Sequence, residues 1–133
     1  MADTPVPAPD RAAPYFDAAA RGVLALQRCA ACSAFAFPVR ARCARCGSTE
    51  LDWREASGVG RVFAHGRARR ATLPEHEGRL PITLLLVDLD EGVRIPARLA
   101  AGESAQIRAG DRVAVGFESA ADGTALPVFR RAP

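Results

Sequence analysis

The chain has 133 residues, of which 49% are hydrophobic and 25% charged, and its formal net charge is +3. This length allows one modest core, or a small metal module beside a barrel-sized domain, and excludes a large independent enzyme. Because no run of 18 apolar residues and no secretory leader is present, the sequence predicts a cytoplasmic protein without a membrane span.

The first predicted element is a short helix that follows a flexible lead. Residues 1–13 hold prolines among alanines, a composition that buries little apolar surface, so we interpret them as a flexible N-terminal lead. Residues 14–21 combine a proline suited to the first turn with a run of alanines, and Gly22 follows in the position of a left-handed C-cap. The pattern predicts a helix with Tyr15 and Phe16 as its anchors.

The four cysteines form two close pairs, Cys29-Ala-Ala-Cys32 and Cys43-Ala-Arg-Cys46. Two residues between thiols allow the backbone to turn both sulfurs toward one cation about 2.3 Å away, and two such pairs make a tetrahedral four-sulfur site. The pattern predicts a structural metal, with Zn²⁺ preferred, iron in a rubredoxin-like cage as the alternative and a disulfide pair as the third option. A four-thiolate cage leaves no coordination position for water or substrate, so this metal would hold the fold and run no reaction.

Two short strands are predicted around the cysteine pairs, at residues 23–28 and 35–40, and they form a hairpin that brings the pairs face to face. Metal binding would supply folding free energy on the order of 10 to 16 kcal/mol, as in zinc-finger peptides, because the unfolded chain offers no preformed site. Four thiolates around Zn²⁺ carry a net −2, which takes the formal +3 of the chain to near +1. Little basicity then remains to indicate a nucleic-acid partner.

From residue 53 onward the chain consists of short strand patterns separated by glycine and proline. In the first pattern Val62 and Ala64 alternate with their neighbours and are expected on one face, and the second pattern is nearly all apolar, which indicates a central strand. Five strands with a small helix between the third and fourth match a five-stranded Greek-key barrel of the OB type. The predicted strands are residues 61–65, 82–89, 93–99, 112–118 and 126–130, with one helical turn between residues 100 and 110.

Several stretches, in their order and spacing, carry a family resemblance: residues 22–29, 35–38, Arg40, 58–63, 81–92, 107–113 and 126–130. Through them the chain resembles the proteins that join an N-terminal helix and a rubredoxin-like zinc ribbon to a C-terminal OB fold, which are acyl-CoA-associated partners of thiolase-like enzymes named as a domain of unknown function. The resemblance implies a mainly β fold, with the helix and zinc ribbon in residues 14–52 and a five-stranded OB-fold barrel in residues 53–133. Ser33, Val39 and His65 depart from the family pattern, and none of them is a metal ligand.

The resemblance also implies a function. Proteins of this kind are non-catalytic accessory subunits that bind a thiolase-like or ketoacyl-synthase-like enzyme and help bind or channel acyl-CoA substrates in lipid metabolism. Arg67, Arg69 and Arg70, just beyond the first barrel strand, would border the CoA path, where guanidinium groups suit phosphates. A solvated turn is the other interpretation of these arginines.

A single-stranded nucleic-acid-binding protein is the alternative function, because zinc ribbons and OB folds both occur in such proteins. Base stacking needs exposed aromatic residues, however, and here aromatics are 6% of residues, lysine is absent, and Asp88, Asp90 and Glu91 crowd one end of the central strands. An independent hydrolase or transferase would need a nucleophile beside a base, and the sequence pairs none with His65 or His76.

Aromatic side chains of the second half are predicted to be structural. At strand spacing, Phe63, Phe117 and Phe129 are expected in the barrel core, where large apolar side chains contribute most to burial. Trp53 follows closely after the second cysteine pair, and we expect it to pack the ribbon against the barrel.

Overall fold

A short helix, a three-stranded sheet and a five-stranded barrel follow one another in the computed structural model, which describes residues 10–70, 81–103 and 106–132. This is the mainly β architecture that the sequence predicts. Within these residues, no helix is both long enough and apolar enough to cross a membrane. In chain order the elements are a 3-10 turn at Asp10–Ala12, α1 Ala13–Ala20, β1 Ala25–Cys29, β2 Phe35–Ala36, β3 Leu51–Glu55, β4 Val59–Ala68, β5 Ile82–Leu89, β6 Arg94–Leu99, β7 Arg112–Ser119 and β8 Ala125–Arg131.

Helix α1 has the start and stop signals that the sequence predicts. It begins at Ala13, one residue before the predicted position, and a proline stands in its first turn. It ends where Gly22 adopts a left-handed φ of 77° and the Val23 N–H donates to the Ala18 carbonyl at 2.9 Å. This hydrogen bond is typical of a Schellman cap, which satisfies carbonyls that the helix end leaves without partners. Of the predicted lead, residues 1–9 lie outside the described part of the chain.

The ribbon sheet has the order β2-β1-β3, with both outer strands antiparallel to β1. The predicted hairpin is present, although β2 contains only two residues. Strand β3 was not predicted: it pairs along all of β1, with Trp53 opposite Gln27. The boundary between residues 52 and 53 that the resemblance implies therefore falls inside this strand.

The barrel closes in the order β4-β5-β6-β8-β7, with β4 returning to pair with β7. Strands β6 and β8 run parallel, with Arg98 opposite Val128, and the other neighbours are antiparallel. Three consecutive antiparallel strands, followed by two that cross over to close the sheet, form a Greek-key barrel of the OB type. The predicted barrel is confirmed.

The predicted helical turn before β7 is wrong for residues 100–103 and 106–110, the part of that segment that the structure describes, which holds turns and irregular backbone. Ile107 supplies the physical reason. Its side chain is 3% exposed and belongs to the core, whereas Gln106 and Arg108 on either side are exposed. Burying one residue between two exposed ones suits extended backbone, not a helical turn.

A bulge in β4 overturns the predicted alternation of that strand. Val62 lies opposite Val87 and Ala64 lies opposite Leu86, so Phe63 is an extra residue between the two pairs. Because opposed residues share a face of the sheet, Val62 faces the core with the buried Val87, and Ala64 lies on the side of the exposed Leu86. Phe63 itself is 50% exposed, so its predicted place in the core is wrong.

Strand β5 has the predicted bounds but is buried on one face only. Alternate residues from Thr83 to Leu89 are buried, whereas Leu84 and Leu86 are 50% and 37% exposed. The inward-facing residues pack in the barrel core, and no described element of the chain covers the outward-facing leucines. A nearly continuous apolar run does not mean two-sided burial in this strand.

One hydrophobic core runs through ribbon and barrel. Leu24 and Leu26, at the start of the ribbon sheet, join Val87 and Phe129 of the barrel in a single cluster of buried side chains. Phe129 is fully buried and Phe117 packs partly buried against the cluster, so these two phenylalanines are core residues as predicted.

Candidate functional site

The fold brings the four cysteines together. Cys29 ends β1, Cys32 lies in the turn after it, and Cys43 and Cys46 stand in a second turn before β3. The Sγ atoms of Cys29 and Cys46 are 3.5 Å apart, those of Cys32 and Cys43 are 3.6 Å apart, and all four lie within 4.8 Å of one another. A tetrahedron with metal–sulfur bonds of about 2.3 Å has edges of about 3.8 Å. The four sulfurs therefore fit one zinc-sized or iron-sized ion.

The two cysteine turns are built alike. The Ser33 N–H donates to the Cys29 carbonyl at 2.8 Å, and the Gly47 N–H donates to the Cys43 carbonyl at 2.9 Å. Ser33 and Gly47 both have a left-handed φ, of 67° and 78°. Ser33 thus adopts the conformation for which a glycine is usual, and its departure from the family pattern leaves the turn intact.

Backbone amides prepare the site for thiolates. The N–H groups of Cys46 and Arg45 donate to the sulfur of Cys43 and lower the pKa of its thiol to about 6. The pKa of Cys29 is also lowered, mainly by the amide of Cys32. A backbone hydrogen bond from Ser48 also favours a lower pKa for the Cys46 thiol. The neighbouring thiols, Cys29 first, outweigh it and raise the pKa of Cys46 to about 12. A bound cation removes this conflict, because it neutralises the sulfurs together.

The chemistry of the donor set is that of a structural metal. Four thiolates suit zinc or an iron of the rubredoxin kind, and four protein ligands fill a tetrahedral coordination sphere. Cys29 and Cys43 are buried while Cys46 is exposed, so the site lies at the edge of the ribbon. An ion bound there would join the end of β1 to the turn that leads into β3.

Gln27 is a structural residue of this site that the sequence analysis missed. Its side chain is 4% exposed, donates from Nε2 to the Arg40 carbonyl at 3.0 Å and accepts from the Arg40 N–H at 2.7 Å. These two hydrogen bonds tie β1 to the connection between the cysteine pairs, and they satisfy polar groups that would be costly to bury unpaired. The available signal was a long polar residue two positions before the first cysteine.

The three candidate ligand-binding arginines lie at the end of β4. Arg67 is in the strand, opposite Thr83, while Arg69 and Arg70 follow the strand, and all three are exposed. The next segment, residues 71–80 with His76, is outside the described residues. A role for the arginines in ligand binding stays a prediction.

An apolar groove with a volume of about 680 Å³ lies on the barrel, and Gly66 in its lining directly precedes Arg67 in β4. His65 and Arg98 are charged or titratable side chains in its lining. Most of its walls come from small or apolar residues that face outward from the sheet. Among the lining residues are Ala64, Gly66, Leu84, Leu86, Pro96 and Leu126.

A smaller cavity of about 170 Å³ lies between α1 and the ribbon sheet. Tyr15, Phe37 and Trp53 contribute to its walls, and the rings of Tyr15 and Phe37 are 6.2 Å apart. Trp53 therefore lies on the helix side of the ribbon, and its predicted place between ribbon and barrel is wrong. Leu24 and Leu26 join the ribbon to the barrel core instead.

Comparison with known proteins identifies the two halves. Family models described as "ChsH2, rubredoxin-like zinc ribbon domain" and "ChsH2, C-terminal OB-fold domain" match residues 16–52 and 53–118. A Thermomonospora curvata protein named "Probable enoyl-CoA hydratase alpha subunit" is 36% identical over 118 residues, which are 89% of this chain and 36% of that protein. The chain thus spans about a third of the length of that curated relative.

A solved structure matches over nearly the whole chain. A chain of the "Ltp2-ChsH2(DUF35) aldolase" superposes with a TM-score of 0.83 at 36% sequence identity, and the match covers 96% of this chain and 100% of that one. The family resemblance drawn from the sequence is confirmed. This protein belongs to the ChsH2 (DUF35) family, in which a rubredoxin-like zinc ribbon precedes an OB fold.

Proposed function

We propose that this chain is a non-catalytic accessory subunit that binds a thiolase-like or ketoacyl-synthase-like enzyme and helps bind or channel its acyl-CoA substrate. The observation that carries the proposal is the match to a full chain of the Ltp2-ChsH2(DUF35) aldolase, whose name joins two proteins in one enzyme. The relative named as an enoyl-CoA hydratase alpha subunit also points to acyl-CoA chemistry in a multi-subunit enzyme.

The cysteine site favours an accessory role for this chain over a catalytic one. All four thiols of the chain converge on one metal site, so none is left over as a nucleophile. Zn²⁺ held by four thiolates has no open position for substrate, and we propose that it is structural. The chemistry would then take place in the enzyme subunit.

The end of β4 is the proposed contact with CoA. Arg67, Arg69 and Arg70 are exposed and adjacent in sequence to Gly66, which lines the apolar groove. Guanidinium groups bind phosphates through pairs of hydrogen bonds, and CoA carries several phosphates.

Co-expression with a thiolase-like enzyme from the same organism tests the proposal. We expect a defined complex on gel filtration and acyl-CoA turnover that falls when the chain is omitted. An enzyme that is monodisperse and fully active without the chain would refute the role of accessory subunit.

The CoA contact has its own test in the same complex. Replacing Arg67, Arg69 and Arg70 together by alanine is expected to raise the KM for acyl-CoA about tenfold, while kcat and complex formation stay close to wild type. Arg54→Ala, which removes an exposed arginine of the ribbon, is the matched control. An unchanged KM in the triple variant would assign these arginines to a solvated turn.

A further inference from the structure

Four large apolar side chains are exposed on one side of the barrel. Leu84 and Leu86 project from β5, Leu126 from β8, and Phe63 from the bulge in β4, with exposed fractions of 50%, 37%, 37% and 50%. We call these four residues the β5 face. Single exposed apolar residues are ordinary, but a contiguous group of them marks an interaction site.

Small residues on the neighbouring strand leave the leucines uncovered. Leu86 lies opposite Ala64, and Leu84 lies opposite Gly66, so the β4 side offers little side chain to cover them. Leu126 lines the same groove. The result is a groove of about 680 Å³ with leucines in its walls, to which β4 contributes His65 beside the small residues Ala64 and Gly66.

The strands that border the groove are unsuited to accepting another strand. β6 and β8 pair only through Arg98 with Val128 and Leu99 with Phe129, so their outer residues diverge beside the groove. A proline stands in each diverging part, at positions 96 and 127, and proline has no N–H to donate to an added strand. An occupant would therefore insert side chains and would not extend the sheet.

Two arginines at the border of the β5 face, Arg94 and Arg98, are paired within the chain. Arg94 pairs with Asp88 at 2.6 Å, and its guanidinium carbon lies 3.4 Å from the centre of the Phe63 ring. Arg98 pairs with Glu118 at 2.9 Å. Because these two arginines are already neutralised, the surface that complements this border is apolar and uncharged, not acidic or phosphorylated.

We infer that the β5 face is the docking surface for an apolar, uncharged segment of the enzyme subunit, such as one face of a helix. This inference rests on the proposed function and names the surface that performs it. A small ligand in the groove would leave the half-exposed walls partly wet, whereas small-molecule sites bury 70 to 90% of their ligand. A protein surface covers the groove and Phe63 together.

Two opposite charges at Leu84 test the inference. In the complex with a thiolase-like enzyme from the same organism, we expect Leu84→Asp and Leu84→Lys each to weaken binding at least tenfold, and to similar extents, because either charge must be desolvated against an apolar partner. Ala13→Asp, on the exposed start of α1, is the control and should bind like wild type. Leu126→Asp provides a second variant if the Leu84 variants do not fold. Because the proposed partner surface is uncharged, raising salt from 50 to 500 mM should change the wild-type affinity only slightly.

Each other outcome contradicts either the docking surface, the uncharged character of the partner or the proposed function. If both Leu84 variants and Leu126→Asp bind the enzyme as tightly as wild type, the β5 face is not the docking surface, but the role of accessory subunit is unaffected. A gain in affinity with Leu84→Lys, or a steep loss with salt, overturns the uncharged partner. Self-association of the isolated chain that Leu84→Asp abolishes assigns the face to a second copy. The absence of any wild-type complex overturns the proposed function and the docking surface together.

Discussion

Phe129 and Phe63 look alike in sequence but make opposite contributions to the protein. Phe129 is fully buried in the cluster that joins ribbon and barrel, and its backbone carbonyl accepts from the Ala100 N–H at 2.7 Å. Phe63 sits on a bulge, half exposed under the Arg94 guanidinium. The first residue is therefore part of the core, and the second is part of the surface.

Alanine substitutions of these two residues should differ in how much they destabilise the folded protein. We expect Phe129→Ala to lower the free energy of unfolding by about 3 to 5 kcal/mol, since it leaves a cavity that a packed core fills only partly. Phe63→Ala should lower it by less than about 1 kcal/mol. Urea unfolding followed by far-UV circular dichroism measures both, and equal losses would contradict the assignment.

Asp90 gives the barrel a dependence on pH. Arg112 donates to its two carboxylate oxygens at 2.8 and 3.1 Å, and this pairing lowers the pKa of Asp90. Because the folded pKa is below the unfolded value, the ionised carboxylate favours the folded state above the unfolded pKa, and this contribution is lost as pH falls through the folded pKa.

The expected result is a pH-dependent difference between wild type and Asp90→Asn. The variant should have a slightly lower melting temperature at pH 7, and the difference should shrink in strong acid, where wild-type Asp90 is also protonated. The effect is small because the pair is exposed to solvent. Acid also competes for the metal-site thiolates in both proteins, so the difference in melting temperature is the quantity to follow, with Asp17→Asn as control. A constant difference across the pH range would exclude the pairing.

Strands β3 and β5 show what a local pattern can and cannot predict. The bounds of β5 follow from its apolar run, but which face is buried depends on Ala64 and Gly66 of another strand. The segment Leu51–Glu55 holds three charged residues in five, so no apolar pattern predicted β3. Its pairing with β1 depends on the cysteine site folding the chain back. Long-range partners decide both features, and a single sequence does not contain them.

Close packing of β4 against β5 explains why a glycine, Gly60, stands at the start of β4. A Cβ at Gly60 would lie 2.3 Å from the Asp88 carbonyl oxygen, which is backbone and has little room to move. At Gly66, in the same strand, a Cβ would meet nothing within 4 Å. The two glycines therefore form a matched pair of sites for one substitution.

We expect Gly60→Ala to destabilise the protein by about 1 to 3 kcal/mol through overpacking, and Gly66→Ala to be neutral or slightly stabilising because alanine restricts the unfolded chain. Urea unfolding with a comparable m-value for both variants is the appropriate measurement. A Gly60→Ala protein as stable as wild type would show that β4 and β5 can move apart at this point.

The ribbon and the barrel share one core although their sequence signatures are separate. The cysteine spacing alone predicted that the four sulfurs converge, because two short turns need only local geometry. The contribution of Leu24 and Leu26 to the barrel core was not predictable, since it depends on how the two units pack. Because the core is shared, the stability of the barrel depends on the metal site, a dependence that the cysteine pattern alone does not predict.

Metal removal should therefore destabilise the whole chain in one transition. Without an ion the four thiols lose the cation that holds them together, the end of β1 is released, and Leu24 and Leu26 are pulled from the cluster they share with Phe129. We expect Cys43→Ser, or a strong chelator, to lower the melting temperature by more than about 10 °C, since 1 kcal/mol corresponds to roughly 4 °C in a domain of this size. Trp53 fluorescence reports the ribbon and far-UV circular dichroism reports mainly the barrel, so the two signals should shift together. Ala44→Ser, between the second pair of cysteines, is the control and should retain one metal ion per chain. A barrel that melts at its original temperature after the ribbon has lost its signal would show two independent units.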